Sequence, residues 1–193
     1  MSEPRIRLLD DTSINKIAAG EVIDRPSSVV KELVENSLDA GASRIEVEIE
    51  AGGVGKIRVT DDGCGMSEQD VRLAVLRHAT SKIRSSDDLF TVESMGFRGE
   101  ALPSIASVAK FSLISRQSGN PLGTRLEISG GQLQDVVECG AEVGTVVLVS
   151  DLFFNTPPRL KFMKTAAAES AHIHDIVVRL AIARPDVVFR LIN

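Results

Sequence analysis

Two polar residues one helical turn apart, Glu32 and Asn36, stand in the segment KELVENSLDAG (31–41). At 3.6 residues per turn they share a face, and Asp39 lies a further turn along, with Glu35 nearby. Two readings fit this crowding. One is a solvated acidic face, in which like charges at such spacing cost a few tenths of a kcal/mol each. The other is a metal and water site. Asn36 offers a neutral carbonyl oxygen to a hard cation such as Mg²⁺ that a phosphate substrate already holds. Glu32 then accepts a proton from an attacking water. A second group is DDGCGM (61–66), at the end of the strand-like KIRVT. It reads either as a turn or as a base-binding loop. In the latter, Asp61 accepts hydrogen bonds from an exocyclic amine such as adenine's, and Gly63 and Gly65 clear side-chain bulk beside it. A third is GFRGEAL (96–102), where Gly96 and Gly99 flank Phe97 and Arg98 and a helix opens at Glu100, Ala101 and Leu102. Helix N-termini bind phosphate, although Glu100 also suits a plain loop-to-helix junction. Thr80, Ser81 and Lys82 in ATSKI can all contact phosphate, and Gly144-Thr145 opens an apolar strand.

The elements that must position these groups are legible from periodicity. Residues 1–12 read as a flexible arm, and helical spacing starts near SINKIAAGEVI. A helix follows Pro26, with Ser27 or Ser28 near its start, Val30, Leu33, Val34 and Leu38 inward, and Gly41 as its C-terminal cap. RIEVEIE and KIRVTDD alternate and predict an antiparallel hairpin turning at AGGVG. Ser67 and Asp70 form a capping-box start for a helix through about His78. Residues 79–99 lack periodicity and read as a functional or mobile loop. Beyond it come a short helix at EALPSIASVA and strands at KFSLISR, TRLEIS, QLQDVVE and TVVLVSDLF. A long helix over about 166–183 and a last strand, DVVFRLIN, complete the order. Helices and antiparallel strands in blocks predict an α+β two-layer sandwich rather than a doubly wound sheet.

Composition narrows the class. A chain of 193 residues builds one sizeable core and falls short of two full domains. It has no run of apolar residues long enough to span a membrane and no secretory signal at its N-terminus. Its two cysteines, Cys64 and Cys139, form no disulfide framework, so a reduced cytosolic protein is expected. A net charge of −5 argues against a dedicated nucleic-acid module. No GxxxxGK[ST] occurs, and DDGCGMSEQ lacks the third glycine of a dinucleotide fingerprint.

Taken in order, Glu-x-x-x-Asn on a helix, Asp-x-Gly-x-Gly after a strand, a glycine-flanked loop and Gly-Thr resemble the GHKL ATPase superfamily. Within it, NKIAAGEVIDRPSSVVKELVENSLDAGA, HATSKI, GFRGEAL and DLFFNTPPRLKF resemble the N-terminal ATPase region of the bacterial MutL family of mismatch-repair proteins. The resemblance runs from about Ser13 to the end. It implies a Bergerat-type sandwich with a mainly antiparallel or mixed sheet and helices on one face, occupying residues 13–193. It implies that the cofactors are ATP and Mg²⁺. Glu32 would activate water, Asn36 would ligate Mg²⁺, and Asp61 would read adenine with Thr145 assisting. Gly63, Gly65 and Met66 would line the base pocket. Thr80, Ser81 and Lys82 would belong to a lid, and Gly96 through Leu102 would wrap the phosphates. It further implies ATP-driven homodimerisation through the N-terminal arm, weak DNA contact, and mismatch-recognition, helicase or nuclease partners. The setting would be cytoplasmic, nucleoid-associated during repair. The family's ATPase region continues into a second subdomain that supplies a lysine to the γ-phosphate. The chain is expected to end before it, with weakened ATP binding and slow or absent turnover.

Other residues carry plainer expectations. His78 is read as a helix-end residue, and Cys64 as a small filler in the loop. His172 and His174 lie two apart on a helix and point different ways, which disfavours metal ligation. Arg159, Lys161 and Lys164 form either a solvated loop or a DNA-backbone contact. Two other classes compete with the ATPase switch. A histidine-kinase catalytic domain needs a phosphoacceptor helix upstream of the motif. A DNA-binding scaffold with a vestigial nucleotide site is disfavoured by intact Glu32, Asn36 and Asp61.

Overall fold

A computed structural model describes residues 19–20, 22–79 and 99–193. The first long helix, α1 (Pro26–Asp39), starts at proline, whose ring presets the helical φ. It buries Val29, Val30, Leu33 and Val34, while Leu38 is only partly covered. Its end is a Schellman motif: Gly41, at φ 72°, donates its N–H to Leu38 and Ala42 donates to Ser37.

Strands β1 (Arg44–Glu50) and β2 (Lys56–Asp61) form the expected antiparallel hairpin, joined through a single 3-10 turn at Ala51–Gly53. Helix α2 (Glu68–Ala74) opens with the Ser67–Asp70 capping box. It stops short of the expected His78. Leu76 bonds back to Leu73, three residues earlier, and His78 turns left-handed at φ 63°, so the helical ladder is lost. Helix α3 (Ala101–Val108) leads into β3 (Lys110–Arg116), β4 (Gly123–Ser129), β5 (Gln132–Cys139) and β6 (Gly144–Ser150). The strand at TVVLVSDLF ends sooner than its apolar run, because Asp151 and Phe153 take left-handed φ values of 51° and 68°. A short helix α4 (Pro157–Lys161), the long α5 (Ala166–Ala183) and β7 (Val188–Ile192) complete the chain.

The seven strands form one sheet in the order β5-β4-β3-β6-β2-β1-β7. All neighbours are antiparallel except β1 and β7, so the sheet is mixed. One face is apolar and lies under the helices. Its rungs run across the strands in register. Ile49, Ile57, Val149, Phe111 and Ile128 make one, and Val47, Val59, Val147, Leu113 and Leu126 the next. All ten side chains are buried. The opposite face carries charge pairs across β1, β2 and β7, with Arg58 to Glu48 and Arg190 to Glu46, both at 2.9 Å, and aliphatic Val146, Leu148 and Ile114 at its centre. This division into a wet face and a helix-covered face is what β alternation requires of a two-layer sandwich.

Candidate nucleotide site

The next rung breaks the apolar pattern. Going across the sheet it reads Ile45, Asp61, Thr145, Ser115 and Thr124, all on the helix-covered side. Polar side chains therefore replace aliphatic ones on four adjacent strands at one end of the core. Ser115 and Thr124 are buried there, 1% and 6% exposed. Buried polar groups need partners, and those here are supplied largely by one another and by the loop after β2.

Asp61 is the centre of the arrangement. Its Oδ2 accepts the Ser37 hydroxyl of α1 at 2.7 Å, its Oδ1 accepts the Gly63 N–H at 3.0 Å, and the Thr145 N–H also donates to the carboxylate. Loss of hydration pushes the Asp61 carboxyl above the ordinary range. The donors from Ser37, Gly63 and Thr145 oppose that rise without cancelling it, and the neighbouring Asp62 charge adds to it. Asp62 is a different kind of residue. Although some hydration is lost, the Ser43 hydroxyl and the Ser43 and Arg44 N–H groups hold its carboxyl below the ordinary range. Asp62 thus ties the start of β1 to the end of β2, while Asp61 faces the polar rung.

The glycines act mainly through close approach. A methyl on Gly65, at φ 68°, would lie 2.0 Å from the Arg116 carbonyl, and one on Gly144 2.1 Å from the Asp61 carbonyl. A methyl on Gly63 would crowd Ala40 at 2.8 Å and the Asp61 carboxylate at 3.0 Å. The expected clearance beside Asp61 is therefore present at Gly63. The space beside Gly65 is filled by the protein's own backbone, because the loop lies directly on β3. Met66 is fastened there by its N–H to the Ser115 hydroxyl at 2.9 Å. Cys64 is exposed rather than a filler; its backbone N–H, donated to Ala40 at 3.0 Å, is what holds the loop.

On α1, Glu32 and Asn36 sit one turn apart and partly exposed, as their spacing requires. Lys31 lies 3.5 Å from Glu32 and 2.9 Å from Glu35, so Glu35 is drawn into a local ion pair and is only 5% exposed. Ser37, next to Asn36, bonds to Asp61 and so brings the polar face of the helix to the end of β2. Gly99, at φ 61°, approaches Ala79 so closely that a methyl would lie 2.4 Å from its carbonyl. Glu100 is the residue before α3, and Ala101 and Leu102 are its first turn. His78 lies beyond the end of α2, with its Nδ1 3.7 Å from Glu100. Thr80, Ser81, Lys82, Gly96, Phe97 and Arg98 lie outside the described residues.

Two residues missed by motif reading are Ser37 and Ser115. Each is a hydroxyl where the pattern demands an apolar side chain. Ser37 continues the Val30, Leu33, Val34 stripe, and Ser115 continues Phe111 and Leu113. The basic cluster separates: Arg159 stacks over the Phe153 ring at 5.9 Å and lies against Gly20, whereas Lys161 and Lys164 are exposed. Among the described residues no group of three or more His, Cys, Asp or Glu could hold a metal, and no helix is long and apolar enough to cross a membrane.

A half-buried acceptor at the sheet end, with an acid and an amide on the covering helix, is an arrangement able to take a nucleotide. The family of histidine kinase-, DNA gyrase B- and HSP90-like ATPases matches residues 24–134, and the chain belongs to it. Within that family the chain is similar to DNA mismatch repair protein MutL. The MutL of Geobacter sulfurreducens is 57% identical over 98% of this chain and 31% of its own length. That of Geotalea uraniireducens is 58% identical over 96% and 31%. The chain thus spans about a third of the length of these curated relatives. The Aquifex aeolicus MutL ATPase domain complexed with ADP superposes with a TM-score of 0.74 at 38% identity, over 89% of this chain and 60% of that one. The N-terminal domain of a DNA repair protein gives a TM-score of 0.77 at 32% identity, over 92% and 51%.

Proposed function

We propose that this chain is the nucleotide-binding part of a mismatch-repair ATPase switch. The observation that carries the proposal is the half-buried Asp61, with its carboxyl raised by burial and three donors fixing its orientation. An acceptor held this way suits the exocyclic amine of adenine, and the similar Aquifex domain bound to ADP supports a purine nucleotide as ligand. Thr145 shares the rung and adds a hydroxyl. The N–H groups of Glu100, Ala101 and Leu102 at the start of α3 have no intrahelical acceptor and are suited to phosphate oxygens.

Mg²⁺ fits the residues present in one particular way. With no protein cluster able to cage a metal among the described residues, the cation would be held by Asn36, phosphate oxygens and water. It would neutralise phosphate charge there. The Asn36 side chain makes no hydrogen bond to another described residue, which leaves its carbonyl oxygen available. Glu32, one turn away, is placed to take a proton from water. In the relatives' full length, nucleotide-driven homodimerisation would pass the signal to DNA-bound repair partners.

Calorimetry with a non-hydrolysable ATP analogue tests the reading. The wild-type chain should bind it, and Mg²⁺ should tighten binding. In Asn36→Ala the Mg²⁺ enhancement should disappear while metal-free binding stays. No binding by the wild type, with or without Mg²⁺, would sink the nucleotide role.

A further inference from the structure

The Ser115 hydroxyl sits at a junction of three groups. The Met66 N–H, the Gly144 carbonyl and the Thr145 Oγ1 each lie 2.9 Å from its Oγ. Ser115 is 1% exposed, so water does not share the work. A hydroxyl carries one proton and two lone pairs. Met66 can only donate, and it takes one lone pair. Gly144 O can only accept, so a bond to it requires the Ser115 proton. Thr145 then fits only as a donor, giving its own proton to the second lone pair. This is the one arrangement that makes all three bonds. Sending the Ser115 proton to Thr145 instead strips Gly144 O of this donor, and buried polar groups are rarely left short.

We propose that Ser115 is a positioning residue that fixes the direction of the Thr145 hydroxyl and thereby makes the base pocket a pure acceptor. With its proton committed to Ser115, Thr145 Oγ1 presents only lone pairs on its other side. Its rung neighbour Asp61 is likewise an acceptor: donors from Ser37, Gly63 and the Thr145 backbone take three of its roughly four lone-pair sites and leave one for the ligand. The exocyclic amine of a 6-aminopurine carries two N–H donors, one for each acceptor, whereas a 6-oxopurine moves its donor to the ring N1 and leaves its carbonyl facing lone pairs. The pocket thus selects a 6-aminopurine over a 6-oxopurine through a residue that touches neither. This inference rests on the nucleotide reading of the same site.

The test compares ADP with inosine diphosphate, which carries a carbonyl in place of the amine and a hydrogen on the adjacent ring N1. The wild type should prefer ADP. In Ser115→Ala the Thr145 proton is released and can turn toward a carbonyl. The ADP-to-IDP affinity ratio should then fall by roughly fivefold or more, the scale of one hydrogen bond. A merely structural Ser115 would weaken both nucleotides alike, and an unchanged ratio overturns the proposal. Should Ser115→Ala fail to fold, Thr145→Val gives the answer. It should cost ADP roughly fivefold and leave IDP unaffected, and equal losses overturn the proposal. If the wild type binds neither nucleotide, the nucleotide reading falls first and this inference with it. If the wild type binds and the ratio stays fixed, only the role of Ser115 falls.

Discussion

Replacing Asp61 by asparagine separates the ligand role of this residue from its cost to the fold. Gly63 N–H can only donate, so the new amide must keep its oxygen on that side. The Ser37 hydroxyl can reverse. It lies 3.2 Å from the Leu33 carbonyl, to which it can give its proton while accepting from the asparagine NH₂. The bonds to Gly63 and Ser37 are therefore kept, but the side chain presents N–H where the carboxylate presented a lone pair. A hydrogen bond to a charged group contributes about 1.5–3 kcal/mol, so affinity for an adenine nucleotide should fall roughly 10- to 150-fold. The same change should not weaken the apo protein. Because burial raises the Asp61 carboxyl above its ordinary 3.8, the folded state holds that proton more tightly than the unfolded state does. The stability it contributes is full below the ordinary value and is lost as pH rises through the raised one. At neutral pH the wild type bears this cost and Asp61→Asn does not. Calorimetry with the ATP analogue and urea unfolding between pH 4 and 8 read the two effects. The variant should be at least as stable as wild type at pH 7, with a flatter pH dependence above the ordinary carboxylate value. Binding within twofold of wild type, or a clear loss of stability at pH 7, would refute this account.

Two further outcomes test other parts of the site. Glu32→Ala should bind the analogue within about threefold of wild type, because a general base contributes to rate rather than to ground-state affinity; loss of analogue binding in this variant would count against that role. Gly65→Ala should destabilise the chain by about 2–5 kcal/mol, since it adds a left-handed backbone penalty to an overlap with the Arg116 carbonyl. An unchanged urea midpoint would show that the loop is not seated on β3 as described.

The local order of elements was readable because each depends on neighbours in sequence. Strict alternation in RIEVEIE and KIRVT fixes both the strands and the face they bury. Pro26 and Gly41 bound α1, and Ser67 with Asp70 start α2. The α2 helix ended early because its last turn depended on packing that only Val71, its one buried residue, receives. The candidate chemistry of Glu32, Asn36 and Asp61 was also legible, through residue type and spacing. The acidic crowding on α1 alone does not separate a solvated face from a site; the order of the motifs downstream is what favours the site.

Sequence by itself determined which residues could do chemistry and which face of each strand is buried. The tertiary structure decided which of those residues meet. Asp61, Thr145 and Ser115 share a rung because β6 is inserted between β2 and β3, a pairing of strands far apart in the chain. Nothing local to any one strand specifies that register. The same packing gave Asp61 and Asp62, identical and adjacent in sequence, opposite environments. Three donors and burial surround the first at the polar rung, and the backbone of Ser43 and Arg44 clamps the second at the strand's edge. Charge, type and spacing are properties of the chain; hydration and hydrogen-bond direction belong to the fold, because they depend on what long-range packing brings alongside.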